Sequence, residues 1–382
     1  MTTEQQKPTI VMTGCSGFIG EALIERLSDD YNIVGLDVVG PPEGDVDFVE
    51  FDITSDDSVR EGLGHVRDEY GDTIASVIHL AAFYDFSGAP SPKYQEITIE
   101  GTERLLDTLQ DFDVEQFIFT STMLVHEACE PGQRIDEDSP LEANWPYPES
   151  KIEAEQVIEE HRGDIPALIL RIAGVYNDEG NSPPIASQIR RIFERRVTAN
   201  VYPGDLNRGQ SFLHLDDLVD AVDAAVERRE TLPEHLPILL GEPVVIGYGE
   251  LQQLIGQELR DGGWNTLRVP KPLAKVGAWI QDRTPIAGDP FIKPWMVDLA
   301  DDHYALNIDR ARKYLGWEPK RSLRDTIPKI IDSLRSDPLA WYERHDFEPP
   351  KFLEEKEKER REHAGVPSGP KSEPEGQERP RA

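Results

Sequence analysis

Cysteine is nearly absent from this 382-residue chain: only Cys15 and Cys129 occur. Two thiols cannot build a disulfide framework, so a reducing compartment and a fold held by its core are expected. No apolar run approaches the ~20 residues that span a bilayer, and Met1–Pro8 is polar with no apolar signal-peptide segment behind it. A cytoplasmic protein with no membrane partner is the expectation. Positive charge is scarce too, since 40 basic residues face 73 Asp and Glu, for a formal net charge of -33. Such an excess repels phosphate backbones and anionic lipid, so no nucleic-acid partner is expected. It reads most simply as a carboxylate-rich surface suited to a salty cytoplasm. Lysine is the scarcer base, 13 against 27 arginines, and between Lys93 and Lys271 only Lys151 occurs.

What is present is alternation. Short apolar, β-branched runs at Thr9–Thr13, Asn32–Leu36, Phe48–Asp52, Ser76–Leu80, Gln116–Thr120 and Ala167–Ile172 read as strands, most of them separated by amphipathic stretches. Near-continuous apolar strands between helices predict a parallel sheet covered on both faces: an α/β, Rossmann-type doubly wound fold. After Tyr176 the alternation loosens, with helices expected near Asp217–Arg228 and Leu251–Asp261. The expected division is a dinucleotide-binding domain over 7–179 plus about 211–241, and a smaller mixed α/β substrate region over about 180–210 plus 242–348. The stretch 349–382 is charged and broken by Pro and Gly, and is expected to be disordered apart from a short helix.

Chemistry first shows in "TGCSGFIG". Gly14, Gly17 and Gly20 fall between the first strand and the first helix, where tight backbone approach and free helix-terminal N–H groups suit a pyrophosphate. An ordinary strand-to-helix turn is the bland alternative. Asp37 ends the next strand about 20 residues on, where a carboxylate accepts ribose hydroxyls and repels a 2′-phosphate, so NAD is expected rather than NADP. In "NWPYPESK", Tyr147 and Lys151 lie one helical turn apart. An ammonium beside a phenol favours the phenolate, which can exchange a proton with a carbinol. That spacing alone is common; with the glycines and Asp37 it points to an active site.

These stretches, with "FDI" at 51–53, "HLAA" at 79–82, "FTSTMLVH" at 119–126, "LRIAGVY" at 170–176, "SFLHLDDLVDA" at 211–221 and "LGWEPK" at 315–320, occur in an order that resembles the extended short-chain dehydrogenase/reductase family, the NAD-dependent epimerase/dehydratase group. The resemblance spans roughly Thr9 to Leu334. It implies that Gly14, Gly17 and Gly20 hold the pyrophosphate with backbone contacts from Phe18 and Ile19. It implies that Asp37 takes the adenosine ribose, Asp52 and Ile53 flank the adenine, and Leu80, Ala81 and Ala82 let the backbone pass close to the cofactor. Tyr147 becomes the general acid/base, Lys151 its activator and a ligand of the nicotinamide ribose, and Thr122 the orienting hydroxyl, with Ser121 the alternative one position back. A homodimer is implied as well.

The departures matter. Many nucleotide-sugar members carry Arg where this chain has Gln210, and Asn where it has Gly174; Thr98 and His126 replace a usual Asn and Tyr. A substrate other than a diphosphate-sugar is therefore expected. His79 and His214 read as buried structural histidines, and no spaced His/Cys set suggests a metal. Trp145, Trp279 and Trp295 read as packing, with Trp145 the best pocket candidate. Phe83, Tyr84 and Phe86 fall where a cleft opens beyond a strand's carboxyl end. The expected function is an NAD-dependent oxidoreductase acting on a small-molecule carbinol or carbonyl. A nucleotide-sugar epimerase or dehydratase is the runner-up, and a non-catalytic NAD-binding regulatory protein the alternative from another class.

Overall fold

The computed structural model describes residues 7–40, 45–85, 87–260, 264–272 and 297–356. Trp279, Trp295 and Phe86 lie outside the described residues. Seven strands form one sheet: β1 (Thr9–Thr13), β2 (Asn32–Asp37), β3 (Asp47–Glu50), β4 (Ser76–His79), β5 (Phe117–Thr122), β6 (Ala167–Ile172) and β7 (His235–Leu240). Every pairing is parallel, in the order β7-β6-β5-β4-β1-β2-β3. The chain winds outward from β1 to β3, then returns to β4 on β1's other side. That reversal opens a crevice at the carboxyl ends of β1 and β4.

Burial follows the pleat. In β1, Ile10 and Met12 join one core while Val11 joins the other, and in β5 Ile118 opposes Phe117 and Phe119 in the same way. The first core is completed by Leu23 and Ile24 of α1 (Phe18–Leu27) and by Leu218 and Val222 of α6 (Leu215–Glu227). The second takes Leu63 of α2 (Asp56–Tyr70), Leu105 of α3 (Glu100–Leu109) and Ile158 of α4 (Pro146–His161). A third core gathers the later chain: Ile189 of α5 (Pro183–Phe193), Ile255 of α7 (Tyr248–Leu259), Ile330 of a long helix Leu323–Ser336, and Trp341.

Two readings need correction. The strand expected at Phe48–Asp52 ends at Glu50, because Asp52 turns to cap its own loop, its carboxylate accepting the Thr54 amide at 2.9 Å. β7, "HLPILL", is not among the expected strands; its Pro237 is tolerated because β7 is an edge, where a missing N–H costs no ladder bond. In the charged tail, residues 351–356 are helical and Leu353 is buried in the third core. Among the described residues no helix is long and apolar enough to cross a membrane.

Candidate active site

The glycine turn is shaped by what it must approach. Gly14 follows β1 with φ +70°, and a Cβ there would stand 2.8 Å from the Ala81 amide nitrogen, so both conformation and space demand glycine. A Cβ on Gly20 would meet the Cys15 carbonyl oxygen at 2.5 Å, which lets α1 press against the turn. Gly17 is different: a Cβ there would touch only the Gly14 oxygen, at 3.4 Å. It caps α1 with no side-chain bond, and the Phe18 and Ile19 amides find no acceptor among the described residues. Unpaired donors at a helix N-terminus above an open cradle fit a pyrophosphate.

Asp37, at the end of β2, accepts the Ser16 amide at 3.0 Å, so its carboxylate is tethered over the glycine turn. Ser16, which no motif singled out, also donates its hydroxyl to the Val39 carbonyl. Farther out, Asp52 is exposed, while Ile53 buries its side chain against Gly101 of α3. Its carbonyl accepts the Arg104 guanidinium at 2.8 Å. Leu80 and Ala81 pass the turn closely, their amides reaching the Thr13 carbonyl at 3.1 Å and the Thr13 hydroxyl at 3.3 Å. Ala82 follows them, and the next amide, Phe83, donates to the Thr98 hydroxyl at 3.0 Å.

His79 brackets this corner. Its ring nitrogens lie 2.6 Å from the Thr13 hydroxyl and 2.9 Å from that of Thr102, and burial, with Lys151 nearby, pushes its pKa down to about 3. It is neutral and structural. His214 is also buried; its Nδ1 accepts the Asp216 amide at 3.1 Å and so caps α6.

Tyr147 sits in the first turn of α4, behind Trp145 at the cap and Pro146 at the first position. Its phenol lies near Thr122, the last residue of β5, whose hydroxyl lowers the phenol's pKa. Ser121, the alternative hydroxyl, donates instead to Glu155 at 2.5 Å. Lys151 lies one turn beyond Tyr147, 3% exposed, with its Nζ donating to the Thr120 carbonyl at 2.7 Å and standing 4.5 Å over the Phe119 ring. Burial pushes the ammonium down to about 7, with Glu155 opposing. The phenol of Tyr147 is raised, by burial first and by the Tyr94 phenol second, while Thr122 lowers it. Lys151 is not among the groups that move it. In this arrangement burial outweighs the other influences on the phenol, and the ammonium is turned to a backbone carbonyl.

A second layer escaped the sequence reading. Glu155, four residues past Lys151, forms a 2.6 Å ion pair with Arg171, whose Nη1 also reaches His126 Nε2 at 3.1 Å and the Glu137 carbonyl at 3.0 Å. His126 is pushed down to about 4 by burial and by Arg171. The i,i+4 spacing of Glu155 from Lys151 was the available signal. Gly174 faces Phe212, 3.4 Å from where a Cβ would sit, and Gln210 bridges Tyr304. Among the described residues one trio has metal-type ligands, Glu103, Asp107 and His161. The two nitrogens of His161 face different carboxylates, Asp107 at 2.8 Å and Glu103 at 3.6 Å, so the trio is accounted for as surface ion pairs.

Comparison with known proteins places this geometry. The chain is 23% identical to an uncharacterized UDP-glucose epimerase of Bacillus subtilis, over 86% of this chain and 98% of that one. It is 28% identical to 3 beta-hydroxysteroid dehydrogenase type 7 of Mus musculus, over 87% and 97%. In fold it is similar to UDP-glucuronic acid 4-epimerase from Bacillus cereus, solved with UDP-glucuronic acid and NAD, at a TM-score of 0.65, 20% identity, and 86% and 99% coverage. The family model that matches residues 10–247 runs from the second residue of β1 to beyond the end of β7, more than half of the chain and the whole sheet. By that match the chain belongs to the NAD dependent epimerase/dehydratase family.

Proposed function

We propose that this NAD-dependent enzyme moves a hydride at a carbinol or carbonyl carbon of a small molecule, with Tyr147 as the acid/base. The observation that carries the reading is the placement of Tyr147 in the first turn of α4 near Thr122, the last residue of β5, at the carboxyl end of the strand beside the crevice that the glycine turn borders. Gly14, Gly17, Gly20 and the Phe18 and Ile19 amides would hold the pyrophosphate, Asp37 the adenosine ribose and Lys151 the nicotinamide ribose. Asp52, Ile53, Leu80, Ala81 and Ala82 would line the remainder of that groove. When bound, NAD supplies the acceptor or donor of the hydride. Thr122 would orient the reacting oxygen toward the phenol. Because burial raises the phenol, Tyr147 carries its proton at neutral pH and is set to donate it to a carbonyl oxygen; taking a proton from a carbinol becomes easier as pH rises.

The domain division is proposed as 7–179 plus about 211–241 and about 180–210 plus 242–348; the sheet supports it, while the first core also takes in Leu306 and Trp317 and the third takes in Tyr176 and Phe212. A cytoplasmic homodimer with a salt-adapted acidic surface completes the proposal. A second reading, nucleotide-sugar epimerase or dehydratase, is favoured by the names of relatives such as the UDP-glucose epimerase of Bacillus subtilis. It uses the same hydride transiently, so net NADH formation on mixing with substrate separates the two. A non-catalytic NAD-binding regulator has no use for a phenol set beside Thr122 at the mouth of that crevice. In the test, Tyr147→Phe should bind NAD as the wild type does and lose at least about 100-fold in turnover. Undiminished turnover in that variant would remove the acid/base role.

A further inference from the structure

Resting on that reading, we infer that the substrate is an uncharged ring alcohol or ketone that lays an apolar face between Tyr84 and Trp145 and carries no phosphate. The two aromatic side chains flank the phenol. Tyr84 meets Tyr147 edge-on at 4.8 Å and 81°, and Trp145 meets it at 5.4 Å and 39°. They come from different elements, one from the loop after β4 and one from the cap of α4, and both are half-buried. A group brought to Tyr147 for proton exchange must pass between or beside them. The loop that carries Tyr84 is held in place: Phe83 packs edge-on against Tyr94 at 4.8 Å, and the Tyr94 hydroxyl donates to the Asp85 carbonyl at 3.3 Å. Flat aromatic walls favour the C–H face of a ring. Burial raises the Tyr84 phenol as it does that of Tyr147, in keeping with a poorly hydrated cleft.

Charge argues the other half. The stretches that leave the carboxyl ends of β4, β5 and β6 on the Tyr147 side, residues 80–92, 123–150 and 173–189, contain ten Asp and Glu and one base, Arg134. Among the described residues, Arg171 is engaged by Glu155, Lys329 by Asp178 at 3.0 Å and Arg208 by Glu130 at 2.6 Å, while Lys93 stands 5.5 Å over the Phe83 ring. A diphosphate brought to Tyr147 would lose water beside loops rich in carboxylates, and the Arg171 and Arg208 guanidinium groups are already bound to acids, so little offsets such a loss. An uncharged ring meets no such barrier. The residues implied for a diphosphate-sugar are also replaced, by Gly174 against Phe212 and by Gln210.

The test titrates the NAD-loaded protein with 2-decalol, with methyl glucoside and with UDP, and follows NADH formation from the two ring alcohols and from UDP-glucose. At least one phosphate-free ring should bind more tightly than UDP, and Tyr84→Ala and Trp145→Ala should each weaken it about tenfold, raising KM more than they lower kcat and leaving NAD affinity unchanged. Trp145→Phe should restore most of the loss. Which ring binds decides between a carbocycle and a sugar. UDP binding more tightly than both rings, or ring binding indifferent to Tyr84 and Trp145, overturns the inference. If UDP-glucose is turned over and Tyr147→Phe abolishes it, the hydride-transfer reading stands and the ring inference falls. If a ring binds between the aromatics yet no hydride moves, the reverse holds.

Discussion

Lys151 carries a cost that the sequence could not show. Its spacing from Tyr147 announced a working pair, because so few lysines occur that one kept on this helix called for a reason. Only the folded chain shows the ammonium turned to the Thr120 carbonyl and pushed down to about 7 by burial. The sign for stability follows. Between about 7 and the ordinary lysine value the unfolded chain holds a proton that the folded chain has released, so this residue's penalty is full below about 7 and fades as pH rises. Lys151→Met, which keeps the volume and removes the charge, should stabilise the protein at pH 6 by up to ~4 kcal/mol and by little near pH 10, as read from urea unfolding at the two pH values. A gain equal at both would mean that packing, not ionisation, governs this position. Tyr147, Asp37 and the three glycines stand out in the sequence because the role proposed for each suits few residue types. The choice between Ser121 and Thr122 was not, since adjacent hydroxyls at a strand end differ only in which partner the packed helix offers them.

At the scale of elements, the strand–turn–helix from Thr9 to Leu27 was readable almost to the residue, since a β-branched run, clustered glycines and an amphipathic stretch all agree. β7 is not so readable, since it carries Pro237, whose tolerance depends on an edge position that no local pattern encodes. Glycine identity in the turn likewise conceals two different duties. Gly20→Ala drives a methyl against the Cys15 carbonyl and should destabilise the fold by about 1–3 kcal/mol, even though alanine is the better helix former. Gly17→Ala meets only ordinary contact at 3.4 Å, so its stability should stay within ~1 kcal/mol of wild type while NAD affinity falls, its methyl entering the cradle at the helix terminus. Thermal unfolding and NAD titration on both variants check the contrast. Equal losses of stability would show that Gly17 is a packing glycine too.

Over the whole molecule the dominant quantity is charge. From Glu357 to the end, six Glu are matched by six Lys and Arg, so the net of -33 falls on residues 1–356. Many of the body's arginines are already paired with carboxylates, as Arg312 is with Glu318 and Arg324 with Glu250, which leaves the surplus acids repelling one another. Salt shortens the reach of that repulsion from ~10 Å at 0.1 M to ~3 Å at 1 M. The melting temperature should therefore climb steeply with KCl up to about 1 M and then flatten, whereas a gain from strengthened apolar burial would continue to rise. A chain ending at Lys356 keeps Leu353 of the third core and the same net charge, so it should show the same dependence on KCl as the full chain. A melting temperature indifferent to KCl would show that the acidic surface carries no repulsive strain for salt to relieve, and the salt-adapted reading of the composition would fail.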